Sequence, residues 1–329
     1  MRTKPLTRCL SVMASVFSLL AVMPTTAAAD TWPDKPVHLL VGFAPGGPTD
    51  VVARILSEEI GRNLGQPVVV ENKAGAAGNI AAVALTNAPA DGYTLLYNTS
   101  SIVIAPWVYR SVGFDPMKSF APVSLTAAVP LVLIANPSVP AKTAGELLEL
   151  IQKKPGEMNY ASSGTGAIEH LTAAHILSLK QADATHIPYK GTAPAQVDLI
   201  SGATQFTTTT LNTAIAPVKA GKLRALAITS RERSHTMPDV PTIAEDLIPN
   251  FESLAWQGIV APAGTPQPVL EKLNKAINKA LESDYVKQRL AEQGTIIMGG
   301  SIADYESYIK SEYERWGNVV KEAGAENLS

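Results

Sequence analysis

Cysteine is almost missing from this chain of 329 residues, which contains only Cys9. Beyond that position the sequence excludes disulfide bonds, thiolate nucleophiles and cysteine metal sites. A chain of this length buries a large core without crosslinks, so the lack of cysteine is compatible with an oxidising compartment.

Long apolar runs and an excess of basic residues are also lacking. After the first thirty residues, no apolar run reaches the roughly eighteen residues that a membrane-spanning helix requires. The chain has 27 basic and 29 acidic residues, for a formal net charge of −2. We therefore expect neither a nucleic-acid partner nor direct insertion into a membrane.

The N-terminus has the three zones of a secretory signal peptide. Basic residues come first, an apolar segment follows at 10–23, and small residues occupy 25–29. The apolar segment is too short to span a bilayer, so we predict cleavage after Ala29 and export to the periplasm. A buried N-terminal helix is the alternative, and a lipoprotein is disfavoured because Cys9 precedes the apolar segment.

Cleavage would make the mature chain more acidic. The removed segment contains Arg2, Lys4 and Arg8 and no acidic residue, which reduces 27 basic residues to 24 against 29 acidic ones. The mature net charge of about −5 further disfavours nucleic acid as a partner.

Buried strands and amphipathic helices alternate along the rest of the chain. The order strand 37–41, helix 50–64, strand 68–70, alanine-rich helix and strand 93–97 predicts a parallel sheet with right-handed crossovers. A second α/β unit follows, and helices at 268–281, 285–293 and 302–323 return to the first. We predict a signal peptide at 1–29, a first domain at 30–127 and 257–329, and a second domain at 128–256.

Two apolar segments, 129–135 and 256–260, are predicted to cross between these domains. A domain inserted in this way leaves a cleft at the crossover, and such clefts are favoured ligand sites.

Motifs for catalysis are lacking. The sequence contains no G-x-S-x-G, H-E-x-x-H or Walker motif. His170 and His175 are five positions apart, roughly 140° around a helix, and are not expected to share a metal ion. No base is indicated near Ser162 or Ser163, His186 and His235 show no evident partners, and His38 is interpreted as a core or interface histidine. We expect no catalytic residue, metal or cofactor.

Two glycine-rich loops instead indicate anion binding. Each loop lies between a strand and a helix, where free backbone N–H groups and the helix dipole favour negative charge. An ordinary tight turn is the alternative for the first loop. The first-loop candidates are Phe43, Gly46, Gly47, Pro48, Thr49 and Asp50, and the second-loop candidates are Ser162, Ser163, Gly164, Thr165 and Gly166. We expect the two loops to face each other across the cleft, with further contacts from Asn98, Ser100, Ser101, Tyr189, Thr208 and Thr209.

Several short motifs together resemble the substrate-binding proteins of tripartite tricarboxylate transporters, also called Bug proteins. The matching segments are residues 32–36, 45–50, 69–75, 91–96, 159–164, 188–191, 220–227 and 261–266. The resemblance implies a two-domain, type II-like Venus-flytrap fold of the periplasmic binding proteins. It also implies a monomer that captures a small carboxylate, mainly through the two loops, and delivers it to membrane permease subunits. A sensor subunit of a two-component system is an alternative, and a periplasmic hydrolase is less favoured.

One position departs from the family pattern. Thr209 stands where many relatives have an acidic residue, in the stretch Phe206-Thr-Thr-Thr-Thr210. Drift in a strand is one interpretation, because threonine suits strands. The other is that the site has lost a negative charge, which would favour a dicarboxylate without an ammonium group, including aromatic diacids such as terephthalate.

Overall fold

A computed structural model describes residues 32–326 of the chain. The predicted signal peptide, its cleavage after Ala29 and Cys9 lie outside the described residues. The first part contains β1 (Val37–Val41), α1 (Pro48–Leu64), β2 (Val68–Asn72), α2 (Asn79–Thr86), β3 (Thr94–Thr99), α3 (Ser101–Val108) and β4 (Phe120–Ala135).

The middle part contains α4 (Ala144–Lys153), β5 (Asn159–Ser162), α5 (Ile168–Leu179), β6 (Thr185–Pro188), α6 (Thr192–Ser201), β7 (Phe206–Thr210), α7 (Leu211–Lys219), β8 (Arg224–Ile228) and α8 (Ile243–Asp246). The last part contains β9 (Leu254–Pro262), α9 (Gln267–Leu281), α10 (Asp284–Ala291), β10 (Ile296–Ile297) and α11 (Ile302–Glu322).

The predicted parallel order of the first strands is confirmed. β1 lies between β2 and β3 and is parallel to both, with Leu39 opposite Val70 and Leu95. In the middle part, β5 is likewise parallel to β6 and β7. Parallel neighbours place their carboxyl ends at the same sheet edge, so the loops after β1 and β3 share one edge and those after β5 and β7 another.

Two long strands connect these parallel groups. β4 pairs with β9 along residues 120–130 and then with β7 and β8 along 131–135. Both segments predicted to cross between domains, 129–135 and 256–260, lie within these two strands. The fold is the two-domain α/β fold of periplasmic binding proteins, and the domain boundaries at 127 and 256 stay predictions.

The apolar core is divided between the two parallel groups. One buried cluster includes Leu96, Val103, Trp256 and Trp316, so the final helix α11 covers the first group as predicted. A separate cluster around Leu147, Tyr160 and Phe206 lies in the middle part. Each group of parallel strands therefore has its own packed interior.

Candidate functional site

The buried carboxylate of Asp50 stabilises the first predicted anion loop by accepting three hydrogen bonds. Its Oδ2 accepts hydrogen bonds from the Gly46 amide at 2.8 Å and Arg54 Nε at 2.9 Å, and its Oδ1 accepts one from Asn72 Nδ2 at 2.8 Å. Burial acts to raise the pKa of Asp50, but these hydrogen bonds outweigh burial and hold the pKa below its ordinary value. The carboxylate is thus engaged by the protein, and we assign it to positioning the loop.

The first cavity lies beside this loop, at the carboxyl ends of β1 and β3. Its lining includes Gly42, Phe43, Ala77, Gly78, Asn79, Asn98, Thr99 and Ser101. Gly42 packs so closely on Gly78 that a Cβ added to Gly42 would lie 2.5 Å from the Gly78 Cα. The absence of a Cβ at Gly42 and Gly78 therefore allows this segment to pack closely against the end of β1.

Asn98 presents an unused donor at this cavity. The residue is 4 % exposed, and its Oδ1 accepts a hydrogen bond from the Tyr305 hydroxyl at 3.0 Å. Its Nδ2 has no hydrogen-bond partner among residues 32–326. A buried amide N–H group without a partner is costly, which makes this position suited to a ligand oxygen.

A second cavity lies at the carboxyl ends of β5 and β7. Its lining includes Ser162, Ser163, Glu169, Thr192, Gln196, Thr207, Thr208, Thr209 and Thr213. Thr208 is fully buried, and its Oγ1 donates to the Glu169 carbonyl at 2.5 Å. Thr209 is 4 % exposed, and its Oγ1 has no partner within the described residues. Thr209 Oγ1 is therefore a buried hydroxyl of this cavity that no group of the described residues satisfies.

Glu169 is the residue that the sequence reasoning missed. It lies in the first turn of α5, and its carboxylate accepts a hydrogen bond from Ser163 Oγ at 2.9 Å. Burial raises the pKa of Glu169, against weaker lowering by hydrogen bonds from its own backbone and from Ser163. Glu169 supplies a carboxyl to the cavity that Thr209 also lines, so threonine at position 209 does not leave this cavity without an acid. That the site has lost a negative charge relative to its relatives stays a prediction.

His186 and Ser162 form a contact that the sequence did not indicate. His186 Nε2 lies 2.6 Å from Ser162 Oγ, and the His186 ring stacks on His170 with 3.8 Å between centroids. The expectation that His186 has no partner and that no base lies near Ser162 is therefore wrong. Ser162 is only 1 % exposed and its Oγ also bonds within the loop, to Gly164, so the pair stabilises the loop.

Both stacked histidines are neutral at neutral pH. Burial lowers the pKa of His170 to about 3, with a further contribution from His186, and burial lowers the pKa of His186 to about 4. A neutral stack avoids placing two positive charges face to face beside Tyr160.

This stack predicts an acid-sensitive fold. A histidine with a depressed folded-state pKa contributes stability above its unfolded value of about 6.5, and this stability is lost as the pH falls toward the folded value. We expect the free energy of unfolding to fall between pH 6.5 and about 4. Urea denaturation across this range should show a shallower loss in His186→Asn than in the wild-type chain, and parallel losses would contradict the assignment.

The remaining predicted site residues fall into different environments. Gly166 packs against α3, since a Cβ at Gly166 would lie 2.5 Å from Val108 Cγ1. The Tyr189 hydroxyl donates to Asp198 at 2.7 Å, and burial with this bond raises the pKa of Tyr189 to about 12. The Ser100 amide donates to the Trp256 carbonyl at 3.0 Å. The structure thus brings together Phe43, Asn98 and Ser101 at one cavity and Ser162, Ser163, Thr208 and Thr209 at the other.

The first-loop residues Gly46, Gly47, Pro48 and Thr49 lie outside both linings. Helix α1 begins at Pro48, whose missing N–H costs no hydrogen bond in the first helical turn, and its N-cap residue Gly47 makes no side-chain cap. Ligand contacts of these four first-loop residues stay predictions, as do those of Gly164, Thr165 and Gly166.

The environments of two other histidines contradict part of what was expected of them, while an interface role for His38 stays a prediction. His38 is not a core residue: its side chain is 46 % exposed and its Nδ1 lies 2.6 Å from Glu71. His235 has a partner after all, with Nε2 lying 2.9 Å from the Ala291 carbonyl oxygen. Within residues 32–326 no group of three or more His, Cys, Asp or Glu side chains is arranged to hold a metal ion.

Comparison with known proteins shows which protein family this chain belongs to. Residues 52–325 match the family described as "Tripartite tricarboxylate transporter family receptor". The chain belongs to this family. Among its described helices, none combines the length and apolar character needed to cross a membrane.

Relatives of this receptor cover nearly its whole length. Protein BugT of Bordetella pertussis is 37 % identical over 322 residues, covering 97 % of this chain and 98 % of BugT. The structure described as R. palustris Rpa4515 with adipate has a TM-score of 0.82 and 35 % identity, covering 90 % of this chain and all of that one. MatC from Rhodopseudomonas palustris with bound malate has a TM-score of 0.76 and 32 % identity, covering 88 % of this chain and 100 % of MatC.

Proposed function

We propose that this receptor captures a small dicarboxylate between its two cavities and delivers it to the permease subunits of a tripartite tricarboxylate transporter. It would act as a monomer in the periplasm after removal of residues 1–29, without a cofactor. The observation that carries the proposal is the pair of buried, unpartnered polar atoms, Asn98 Nδ2 and Thr209 Oγ1. The adipate and malate in two similar structures support this ligand class, which includes aromatic diacids such as terephthalate.

The chemistry of the first cavity suits a carboxylate. Its polar lining consists of amides, hydroxyls and backbone at the carboxyl ends of parallel strands, where ligands of open α/β sheets bind. Hydrogen bonds to a charged group contribute about 1.5–3 kcal/mol each, and micromolar affinity requires about 8 kcal/mol in total. A few such bonds with buried ligand carbon are therefore sufficient, and domain closure would follow from the ligand's preference for the closed state.

Replacing the Asn98 donor by an acceptor should separate binding from folding. In Asn98→Asp, Oδ1 still accepts from Tyr305, but a negative oxygen takes the position of Nδ2. We expect affinity for dicarboxylates, measured by calorimetry on the chain lacking residues 1–29, to fall by about 100-fold because the new charge repels the ligand.

Asn87→Asp is the matched control, because Asn87 is exposed and its Nδ2 bonds only the nearby Val83 carbonyl. We expect this variant to bind as the wild type does. The proposed function is contradicted if no dicarboxylate binds the wild-type chain, or if both asparagine variants bind equally well.

A further inference from the structure

Glu169 gives the second cavity a charge that its other walls do not balance. The remaining side chains of its lining, from β4, β5 and the loop after it, α6, β7 and α7, are hydroxyl, amide or apolar groups. No lysine or arginine lines this cavity within the described part of the chain. Two histidines adjoin it, because His186 contacts the lining residue Ser162 and stacks on His170, and both are neutral. On α6, Asp198 lies next to the lining residue Leu199 and accepts a hydrogen bond from the Tyr189 hydroxyl.

An ionised ligand carboxylate that suits the first cavity is not suited to the second cavity, because the Glu169 carboxylate is already there. Two carboxylates in a shared, partly desolvated site without a cation repel each other, and one of them takes up a proton. An ammonium or hydroxyl group would instead donate directly to the Glu169 carboxylate. Ser163 Oγ and the backbone of Glu169 itself occupy two of its acceptor positions, and a carboxylate has about four, which leaves others for a ligand.

We propose that Glu169 is a specificity residue that selects ligands whose far end donates a hydrogen bond, whether from an ammonium, a hydroxyl or a carboxyl group that keeps its proton. Thr209 Oγ1, unpartnered within residues 32–326, provides a second contact for that group. The inference rests on the proposed function, since it takes the other end of the ligand to be the carboxylate at the first cavity.

The direct consequence is coupling between proton uptake and dicarboxylate binding. A dianion would bind with about one added proton, so its affinity should rise up to about tenfold for each unit by which the pH falls. A ligand with a terminal hydroxyl would show no such dependence.

A matched ligand series tests the proposal on the chain lacking residues 1–29. The chain length is set first by the straight diacid, from succinate to suberate, that binds most tightly. Calorimetry then compares this diacid with the monoacid, the ω-hydroxy acid and the ω-amino acid of equal length, from about pH 7.5 to about pH 5.5. In the wild type we expect the hydroxy and amino acids to bind at least about tenfold more tightly than the monoacid.

Glu169→Gln should reverse the preference. Glutamine keeps the shape and an acceptor for Ser163, but it adds an N–H donor and removes the charge. We expect the variant to bind the diacid about tenfold more tightly at pH near 7.5, without pH dependence, and the amino acid about tenfold more weakly. Glu149→Gln, an exposed α4 carboxylate paired with Lys153, is the control and should behave as wild type.

The outcomes separate the two levels of the proposal. If carboxylates bind but Glu169→Gln leaves the ligand ranking and pH dependence unchanged, the role of Glu169 is wrong and the proposed function stands. If no member of the series binds the wild type or Glu169→Gln, and the two proteins melt at the same temperature, the proposed function itself fails.

Discussion

Asp50→Ala is expected to lower the free energy of unfolding by about 2–3 kcal/mol, because it removes the acceptor that the first loop is built around. The side chain of Asp50 is 2 % exposed, and the substitution removes the acceptor of the Gly46 amide and one of the two acceptors of Asn72 Nδ2. The Arg54 side chain is 51 % exposed and regains water, which keeps the loss below that of a fully buried pair.

Asp50→Ala should also weaken ligand binding indirectly, because Asp50 positions the first loop. Asn72 Nδ2 also donates to the Phe43 carbonyl at 3.0 Å, so Asp50 and Asn72 together fix the backbone that leads into the first cavity. Urea denaturation measures the stability, and calorimetry with a dicarboxylate measures the binding. Glu58→Ala provides the control, because its exposed pair with Arg62 is expected to contribute under about 1 kcal/mol.

The pH dependence of this contribution has a defined sign. Because the folded pKa of Asp50 is lowered, its stabilisation is present above the unfolded value of about 3.9 and is lost as the pH falls through the folded value. The stability difference between wild type and Asp50→Asn should therefore shrink below about pH 4. A difference that persists unchanged in acid would contradict the charged role of Asp50.

The strand and helix order was predictable because hydrophobic periodicity is local. β1 begins and ends at the predicted residues 37–41. Helix α3 was missed because its residues 102–105 are all apolar and Pro106 lies inside it, so the segment has no polar face to mark a helical period. Helix α3 is buried against α11, and this tertiary contact, which the local sequence does not show, explains why all its faces are apolar.

The site was less predictable because its contacts depend on strand register. The pairing of Ser162 with His186 joins residues 24 positions apart through the parallel β5–β6 pair, which no single segment reveals. Glu169 resembles an ordinary acidic residue in a first helical turn, where the helix dipole alone would explain it. Only the position of β7 beside α5 shows that its carboxyl shares a cavity with Thr209.

The largest stability loss is expected at Glu312, a buried carboxylate of α11 that is 6 % exposed. Its Oε2 accepts hydrogen bonds from Trp256 Nε1 at 2.8 Å and Trp316 Nε1 at 3.0 Å. Arg315 donates to both oxygens, from Nε at 2.7 Å and Nη2 at 2.8 Å. One carboxylate thus ties the final helix to Trp256 on the crossover strand β9.

Glu312→Ala should reduce the free energy of unfolding by about 3–5 kcal/mol, since it leaves two buried indole N–H groups without an acceptor. It also leaves the half-buried guanidinium of Arg315 with only the Glu252 carbonyl as its hydrogen-bond partner among the described residues. Glu312→Gln is the matched variant: its carbonyl oxygen still accepts from the indoles, while its amide no longer pairs with Arg315, so about half of the loss is expected. Chemical denaturation followed by tryptophan fluorescence measures both.

The effect should extend to ligand binding because Trp256 lies on β9, which with β4 connects the two parallel groups that carry the two cavities. Loosening α11 from β9 removes a fixed support for closure, so we expect Glu312→Ala to bind dicarboxylates more weakly even where it remains folded. Equal stability of Glu312→Ala and the wild type would show that the indole groups find other partners. Equal affinity in a destabilised variant would show instead that closure does not depend on this attachment.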